Sequence, residues 1–395
     1  MNPPDCILVI NGGSSSIRFA VYEADAPLRR LLDGKLDRIG LSGTKLTYEG
    51  QGMPQACVPM APNDQRSAVS FLLDWLDAHA TTRTVNAVGH RLVHGMAHSK
   101  PERITPELLT ELHRITSYAP EHLPREIELI EALQQRHPSW PQVACFDTAF
   151  HQTMPRVARM LPIPRRYDAV GVQRYGFHGL SYEFLMEELK HLGDPAATTG
   201  RVILAHLGNG ASLAAVREGR SIDTSMGFTP TSGLMMGRRS GDLDPGLVSY
   251  LALSAEDFHL LVNHQSGLLG VSETSSDLRD LLAIEDEDVR AAEAVALFCY
   301  QAKKWIGSFA AVLGGVDTLV FAGGIGENSP VIRARICDGL GFLGITLNDA
   351  QNSDNAAVIS QGSGQVVVRV ISTDEQLMIA RSVVRVLDSD QQKEG

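Results

Sequence analysis

Arg91, Asp147, His178 and the pair Arg238-Arg239 are the side chains of this sequence whose types and placing could carry chemistry. Arg91 closes an apolar run in His90-Arg91-Leu92-Val93-His94, so its guanidinium projects from the carboxyl end of a strand, as an anion ligand or as half of a structural ion pair. Asp147 closes another run, in Asp147-Thr148-Ala149-Phe150-His151. A carboxylate there is costly unless solvated or matched by a cation, and the choice is between a catalytic role and a helix N-cap. His178, in Tyr175-Gly176-Phe177-His178-Gly179, stands between glycines, where core packing is not its task, and a satisfied turn histidine is the plain alternative. Gly237-Arg238-Arg239-Ser240-Gly241-Asp242 is a glycine-flanked basic pair suited to a multiply charged ligand or to a solvated loop. His90 and His94 have H-x-x-x-H spacing, but Arg91 stands where a zinc protease needs Glu, so no metal site is expected there.

These groups need elements that deliver them. An apolar run from Val202 enters a turn with Gly208, Asn209 and Gly210 and leaves through a second apolar run to Val216. That is a buried β-hairpin. The chain start repeats the pattern, with runs 7–10 and 17–22 around Asn11-Gly12-Gly13-Ser14-Ser15-Ser16. The two turns open at Asn11 and His206, about half the chain apart, so one supersecondary unit occurs once per half. Turns without bulky side chains expose backbone N–H groups, and a polyphosphate is the anion that spans both. Either turn alone could simply be a good hairpin.

Between and after the hairpins, strands alternate with helices. Short strands are expected over 34–58, a helix over 67–79, a strand over 85–89, helices over 105–118 and 124–137, and a strand over 143–146. The second half adds helices over 255–263 and 288–313, strands over 318–321 and 366–371, and a last helix starting near 376 and ending between 387 and 390, with a polar, frayed tail to 395. Ala322-Gly323-Gly324-Ile325-Gly326-Glu327-Asn328 follows a strand and suits nucleotide contact, although it is neither a Walker A loop nor a good G-x-G-x-x-G, and a tight turn is its alternative. Glu375 follows the last strand as a candidate magnesium carboxylate. The pattern is α/β, with ligands beyond the carboxyl ends of the strands.

Composition narrows the function. With 395 residues, 44 % hydrophobic and 21 % charged, the chain is of globular type and long enough for two domains. Its net charge of −11 and lack of a Lys/Arg-rich block argue against nucleic acid, so a few local cations must hold any anionic ligand. Five cysteines without a C-x-x-C pair fit reduced thiols. No signal peptide or membrane span is expected, which points to the cytoplasm.

Taken in order, Val88-Gly89-His90-Arg91, Phe146 to His151, Arg174 to Gly179, His206 to Ser212, Asp223 to Pro230, Arg239 to Asp242 and Gly324 to Asn328 resemble the acetate kinase family, carboxylate kinases of the sugar kinase, heat-shock chaperone and actin superfamily. The resemblance runs from Ile7 to about Ala380. It implies two duplicated actin-like, ribonuclease H-like α/β domains with an active-site cleft between them. The first would span 1–150, with the last helix packing back on it, and the nucleotide-binding second would span 151–375. It further implies a homodimer and direct, reversible, Mg²⁺-dependent transfer of the ATP γ-phosphoryl to acetate, giving ADP and acetyl phosphate, with Mn²⁺ as an alternative metal.

By motif match, Arg91 and Arg239 would bind the carboxylate and the transferring phosphoryl, which His178 would stabilise, with His122 a noncatalytic neighbour. Asp147 and Glu375 would organise the metal, with Asn11 close to it. His206, Gly208, Asn209 and Gly210 would hold phosphate. Gly324, Ile325, Gly326 and Asn328 would sit by the adenosine. Val93, Phe177 and Pro230 match the family's acyl pocket.

Five departures stand out. Arg18, matched to the cofactor-binding set, replaces a usual Lys, with Gly12 and Gly13 in the turn. Pro120-Glu121-His122-Leu123-Pro124 replaces Pro-Leu-His-Asn-Pro, so Glu121 stands where a pocket leucine is usual. Thr231-Ser232-Gly233 replaces Leu-Glu-Gly, Arg238 replaces Thr, and Asp374-Glu375-Gln376 replaces Asn-Glu-Glu. The Glu121 change leaves propionate or another short or polar acid as an alternative substrate. A nucleotide-gated binding or structural protein of the same fold is the alternative from another class.

Overall fold

A computed structural model describes residues 5–13, 16–25, 27–39, 43–60, 65–79, 85–362 and 365–394. Ser14 and Ser15 of the first hairpin turn lie outside the described residues, as do 1–4 and Gly395. The chain forms two compact units, Met1–Ala149 with Asp374–Gly395, and Phe150–Thr373.

In the first unit, β1 (Cys6–Gly12), β2 (Ser16–Glu23), β3 (Arg29–Asp37), β4 (Lys45–Gly50), β5 (Met53–Pro59), β6 (Val85–Leu92), β7 (Glu102–Arg103) and β8 (Gln142–Phe146) form a sheet in the order β5-β4-β3-β2-β1-β6-β8-β7. β1 pairs antiparallel with β2 and parallel with β6, and β6 runs parallel to β8. Ile7 to Ile10 are all buried, as a central strand covered on both faces requires. The Gln65–His79 helix presents Val69, Leu72, Leu73 and Leu76 to one core with Phe19 and Leu36 of the sheet. Each such side chain contributes roughly 1.5–3 kcal/mol through burial. A Cβ on Gly89 would collide with Ile379 and Val383, so the glycine lets the Glu375–Glu394 helix lie against β6.

The second unit contains β9 (Arg201–Leu207), β10 (Ala211–Arg217), β11 (Arg220–Thr224), β12 (Thr318–Ala322) and β13 (Val367–Val370), in the order β11-β10-β9-β12-β13. The first two pairings are antiparallel and the last two parallel. That is the order and sense of β3-β2-β1-β6-β8, so the repeat suggested by the two hairpins extends to five strands. The long Val289–Leu313 helix is capped by the Asp288 side chain and stopped by Gly314, whose φ of 72° suits glycine.

The structure corrects four local expectations. The 105–118 helix ends at Arg114 and tightens into a 3₁₀ turn at Thr116–Tyr118; its start is as expected, with the Thr105 hydroxyl accepting from Leu108 N at 3.3 Å. The 255–263 helix ends at Leu260 and widens into a π turn over Leu261–Gln265. The 322–328 run is itself a helical turn, Gly323–Asn328, because Gly323 takes a φ of +74° and lets the chain wind directly off β12. The expected frayed tail is helical to Glu394, continuing the last helix.

Candidate functional site

Strand register places the first group of residues. Asn11 of β1 lies opposite Arg18 of β2 and Arg91 of β6, so three expected site residues stand side by side at the same level of the sheet. Arg91 Nε and Nη2 donate to Asp147 Oδ2 at 3.0 and 2.5 Å, from the end of β6 to the residue just after β8. Asn11 Nδ2 donates to Glu375 Oε2 at 3.3 Å. The ion-pair alternative for Arg91 is therefore present, yet its Nη1 makes no hydrogen bond among the described residues and 16 % of its side chain stays exposed. Burial opposes the guanidinium charge, but Asp147, Glu375 and Glu126 outweigh it and raise the Arg91 pKa above its ordinary value. Val93 is buried beside this group, and Glu121 is half-buried in the turn before the Leu123–Arg136 helix. Arg18 is exposed.

The second unit assembles a different group. His178, with φ of 60°, caps the Gly179–His191 helix in a left-handed conformation, an arrangement that costs a non-glycine residue energy and is kept where the surroundings fix it. Its Nδ1 lies 2.8 Å from Ser212 Oγ, and its ring stacks on His206 with centroids 4.4 Å apart. A Cβ on Gly210 would sit 3.3 Å from His178 Nε2 and 3.8 Å from Arg239 Nη1, so the bare glycine keeps open the space that these two groups face. Arg239 Nη1 also donates to the Pro230 carbonyl at 2.9 Å. The Gly208–Gly210 turn is tied down by Gly208 N to Gly210 O at 3.0 Å and by Gly237 N to Asn209 O at 3.1 Å. Its neighbour across the β9–β12 pairing is the Gly323–Asn328 turn, where Gly324 is open to solvent, Ile325 half-buried and Gly326 buried, and Asn328 Nδ2 donates to Gly324 O at 2.9 Å. Phe177 is buried and Pro230 half-buried.

Three sets of neighbouring side chains were given no role by the motif reading. Glu126, 2 % exposed, accepts from Val93 N at 3.0 Å through Oε2, while its buried Oε1 has no hydrogen-bond partner among the described residues. Burial pushes its pKa up to about 8, against the pull of Arg91 and the Val93 N–H. Its signal in the sequence was a carboxylate on the apolar stripe of Leu123, Ile127, Ile130 and Leu133. Arg333, fully buried, donates to the carbonyls of Gly326 and Glu327 at 2.8 and 3.0 Å, while Glu327 accepts from Gly323 N at 2.9 Å; together they fix the turn. Ser212 and Tyr182 stand behind His178. Glu327 and Ser212 stand inside quoted motifs that gave them no role, while Arg333 and Tyr182 left no local signal.

In the H-x-x-x-H pair, His90 Nε2 lies 2.6 Å from Gln142 Oε1, and burial pushes both His90 and His94 down to about 4. No cluster of three His, Cys, Asp or Glu that could hold a metal occurs among the described residues. A hard dication needs less here, because Mg²⁺ is commonly held by one or two carboxylates with water and substrate phosphates. The all-oxygen set of Asp147, Glu375 and the Asn11 carbonyl fits that chemistry.

The acetokinase family profile matches residues 6–381. A Rhodopseudomonas palustris protein named acetate kinase is 43 % identical over 395 residues, covering 97 % of this chain and 99 % of its own. A Citrobacter rodentium propionate kinase is 44 % identical over 393 residues, covering 96 % of each. The crystal structure of Porphyromonas gingivalis acetate kinase superposes with a TM-score of 0.88 at 37 % identity, covering 97 % of this chain and all of the other. Its α/β fold is the two-domain actin-like one. On a match of this extent, the chain belongs to the acetokinase family.

Proposed function

We propose that the protein catalyses reversible transfer of the ATP γ-phosphoryl to acetate, giving acetyl phosphate and ADP. The observation that carries this reading is the convergence of His178 Nε2 and Arg239 Nη1 on the space that Gly210 leaves open. The acceptor chemistry asks for little acid–base help, since a carboxylate with an ordinary pKa of about 4 is already ionised near neutrality. Repulsion is the obstacle: two unit charges about 4 Å apart cost roughly 4 kcal/mol at an effective dielectric of about 20.

The residues divide that task. Arg91 orients the acceptor carboxylate with its outward nitrogen while Asp147 holds the rest of the fork in place. Arg239 and His178 donate hydrogen bonds to the transferring phosphoryl, and the Gly208–Gly210 turn supplies backbone N–H groups to the phosphates. Phe177 and Pro230 of the second unit pack around the acyl methyl, the role that the motif match also gives Val93. Asp147, Glu375 and Asn11 would hold Mg²⁺, which would supply positive charge to the phosphates when bound. Transfer is in line, with no phosphoenzyme. Propionate is the second reading, favoured by near-equal identity to relatives named for either acid and by Glu121 in the turn before the Leu123–Arg136 helix.

The protein acts as a homodimer in the cytoplasm. Exposed large apolar residues, including Val157, Tyr250 and Phe342 at 80, 85 and 79 %, lie in the second unit and suit a self-association surface. No disulfide joins any of the five cysteines, as in a reducing compartment, and among the described residues no helix is long and apolar enough to cross a membrane.

The test is hydroxylamine trapping of acyl phosphate from Mg-ATP with acetate, propionate or butyrate, with Arg91→Ala as control. Acetyl hydroxamate that disappears in the control supports the proposal. Product from propionate alone moves the substrate, and no product from any acid overturns the kinase reading.

A further inference from the structure

Behind His178 lies a short chain of hydroxyls. Tyr182, fully buried on the Gly179–His191 helix, hydrogen-bonds through its hydroxyl to Ser212 Oγ, and Ser212, fully buried on β10, reaches His178 Nδ1 at 2.8 Å. Ser212 Oγ is the sole hydrogen-bond partner of the Tyr182 hydroxyl among the described residues. Counting protons fixes the direction of the chain. A buried hydroxyl proton without an acceptor is costly, so Tyr182 donates to Ser212. Ser212 has one proton of its own, and His178 Nδ1 is the acceptor left for it. If Nδ1 carried the imidazole proton instead, either the serine or the tyrosine proton would have nowhere to go. Burial also pushes the Tyr182 phenol above its ordinary range, which keeps it a donor.

We propose that Tyr182 and Ser212 are positioning residues that hold the neutral His178 ring with its proton on Nε2, the nitrogen facing Gly210 and Arg239. The inference rests on the phosphoryl-transfer reading for its consequence: His178 presents a ready N–H donor to the phosphoryl oxygens in both directions and carries no proton between substrates. The stacked His206 ring, whose Nδ1 lies 2.8 Å from Ser181 Oγ, holds the plane of His178 while the hydroxyl chain sets its tautomer.

The experiment is two-bond ¹H–¹⁵N correlation on histidine-labelled protein at about pH 8.5, well above the ordinary imidazole range. Pyridine-like and pyrrole-like nitrogens separate there, and His178→Gln assigns the signal among the 13 histidines. Wild type should show a pyridine-like Nδ1 and a pyrrole-like Nε2 at His178. Ser212→Ala and Tyr182→Phe should shift the signal toward a tautomer mixture while the other histidine signals hold. Their kcat should fall about 10-fold and about 3-fold, with KM for both substrates within about twofold, and Ser212→Thr should recover the signature and most of kcat. A protonated Nδ1 in wild type overturns the proposal even if a variant fails to fold, as do wild-type kcat and spectrum in both deletion variants. Because the spectrum needs no turnover, a protein with the stated tautomer that makes no acyl phosphate would sink the kinase reading and leave this one standing.

Discussion

The two units use the same five-strand arrangement to present opposite chemistry. At the level of the sheet where Asn11 faces Arg18 and Arg91, the second unit has His206 facing Ser212 and Ala322. In the first unit, Arg91 is gripped by Asp147 and acted on by Glu375 and Glu126, so three carboxyl groups share one guanidinium. In the second, His178 and Arg239 border a glycine turn. The lesson is that the duplicated scaffold fixes where groups stand, while the charge each corner attracts depends on a handful of substitutions. On the proposed function, the acidic corner would take the dication and the acceptor carboxylate, and the donor-rich corner the phosphate chain.

The largest expected effect separates the two arginines. Arg91→Ala and Arg239→Ala should each lower kcat/KM for acetate by about 1000-fold, as expected for charges acting on the transition state. They should differ in stability. Removing Arg91 breaks a buried ion pair held by two hydrogen bonds to Asp147, a loss of about 3–5 kcal/mol visible in denaturant unfolding, whereas the partly exposed Arg239 should cost about 1 kcal/mol. Equal stability losses would break the contrast.

Next comes the metal. Asp147→Asn should lower kcat/KM about 100-fold and raise the Mg²⁺ concentration for half-maximal rate, while His178→Gln should lower the rate without moving the Mg²⁺ dependence. A magnesium titration of both variants checks the division of labour. Unchanged Mg²⁺ dependence in Asp147→Asn would take the metal away from the first corner.

Glu126 sharpens the comparison through pH. Its ordinary value is 4.5 and its folded value about 8, so between these the unfolded chain releases a proton that the folded chain keeps. Its contribution to stability is full below pH 4.5 and is lost as pH rises toward 8. Glu126→Gln should remove that slope, gaining about 1–3 kcal/mol on wild type between about pH 5 and about pH 8. Denaturation curves at both pH values report it, and parallel behaviour of the two proteins would contradict it.

The smallest effect on activity is expected at the apolar surface of the second unit. Val157→Glu with Tyr250→Glu should convert a dimer to a monomer in sedimentation, with activity per chain reduced by about threefold or less. A monomeric wild type would end that part of the account.

What was legible in the sequence follows from range. The hairpins β1–β2 and β9–β10 were visible because apolar runs and glycine turns are local signals, and Thr105 ahead of Pro106 marked a real cap. Strand ends such as those carrying Arg91 and Asp147 could be located for the same reason. The helical winding of Gly323–Asn328 was not visible, since a glycine-rich run reads as a turn until the contacts of Gly323 against Leu207 are known. The helical tail has few apolar residues to announce it. Glu126, Ser212 and Tyr182 were missed because their partners lie 33, 34 and 30 residues away along the chain, so their roles exist only once the sheets have formed.

The reverse reaction tests the central claim most directly: acetyl phosphate and Mg-ADP are mixed with the protein, and ATP is followed by luminescence while released phosphate is followed in parallel. The account predicts ATP formed in step with acetyl phosphate consumed, with no net phosphate and no ATP from Arg91→Ala. Acetyl phosphate that disappears as inorganic phosphate without ATP would contradict it, because the phosphoryl group would then pass to water and not to ADP.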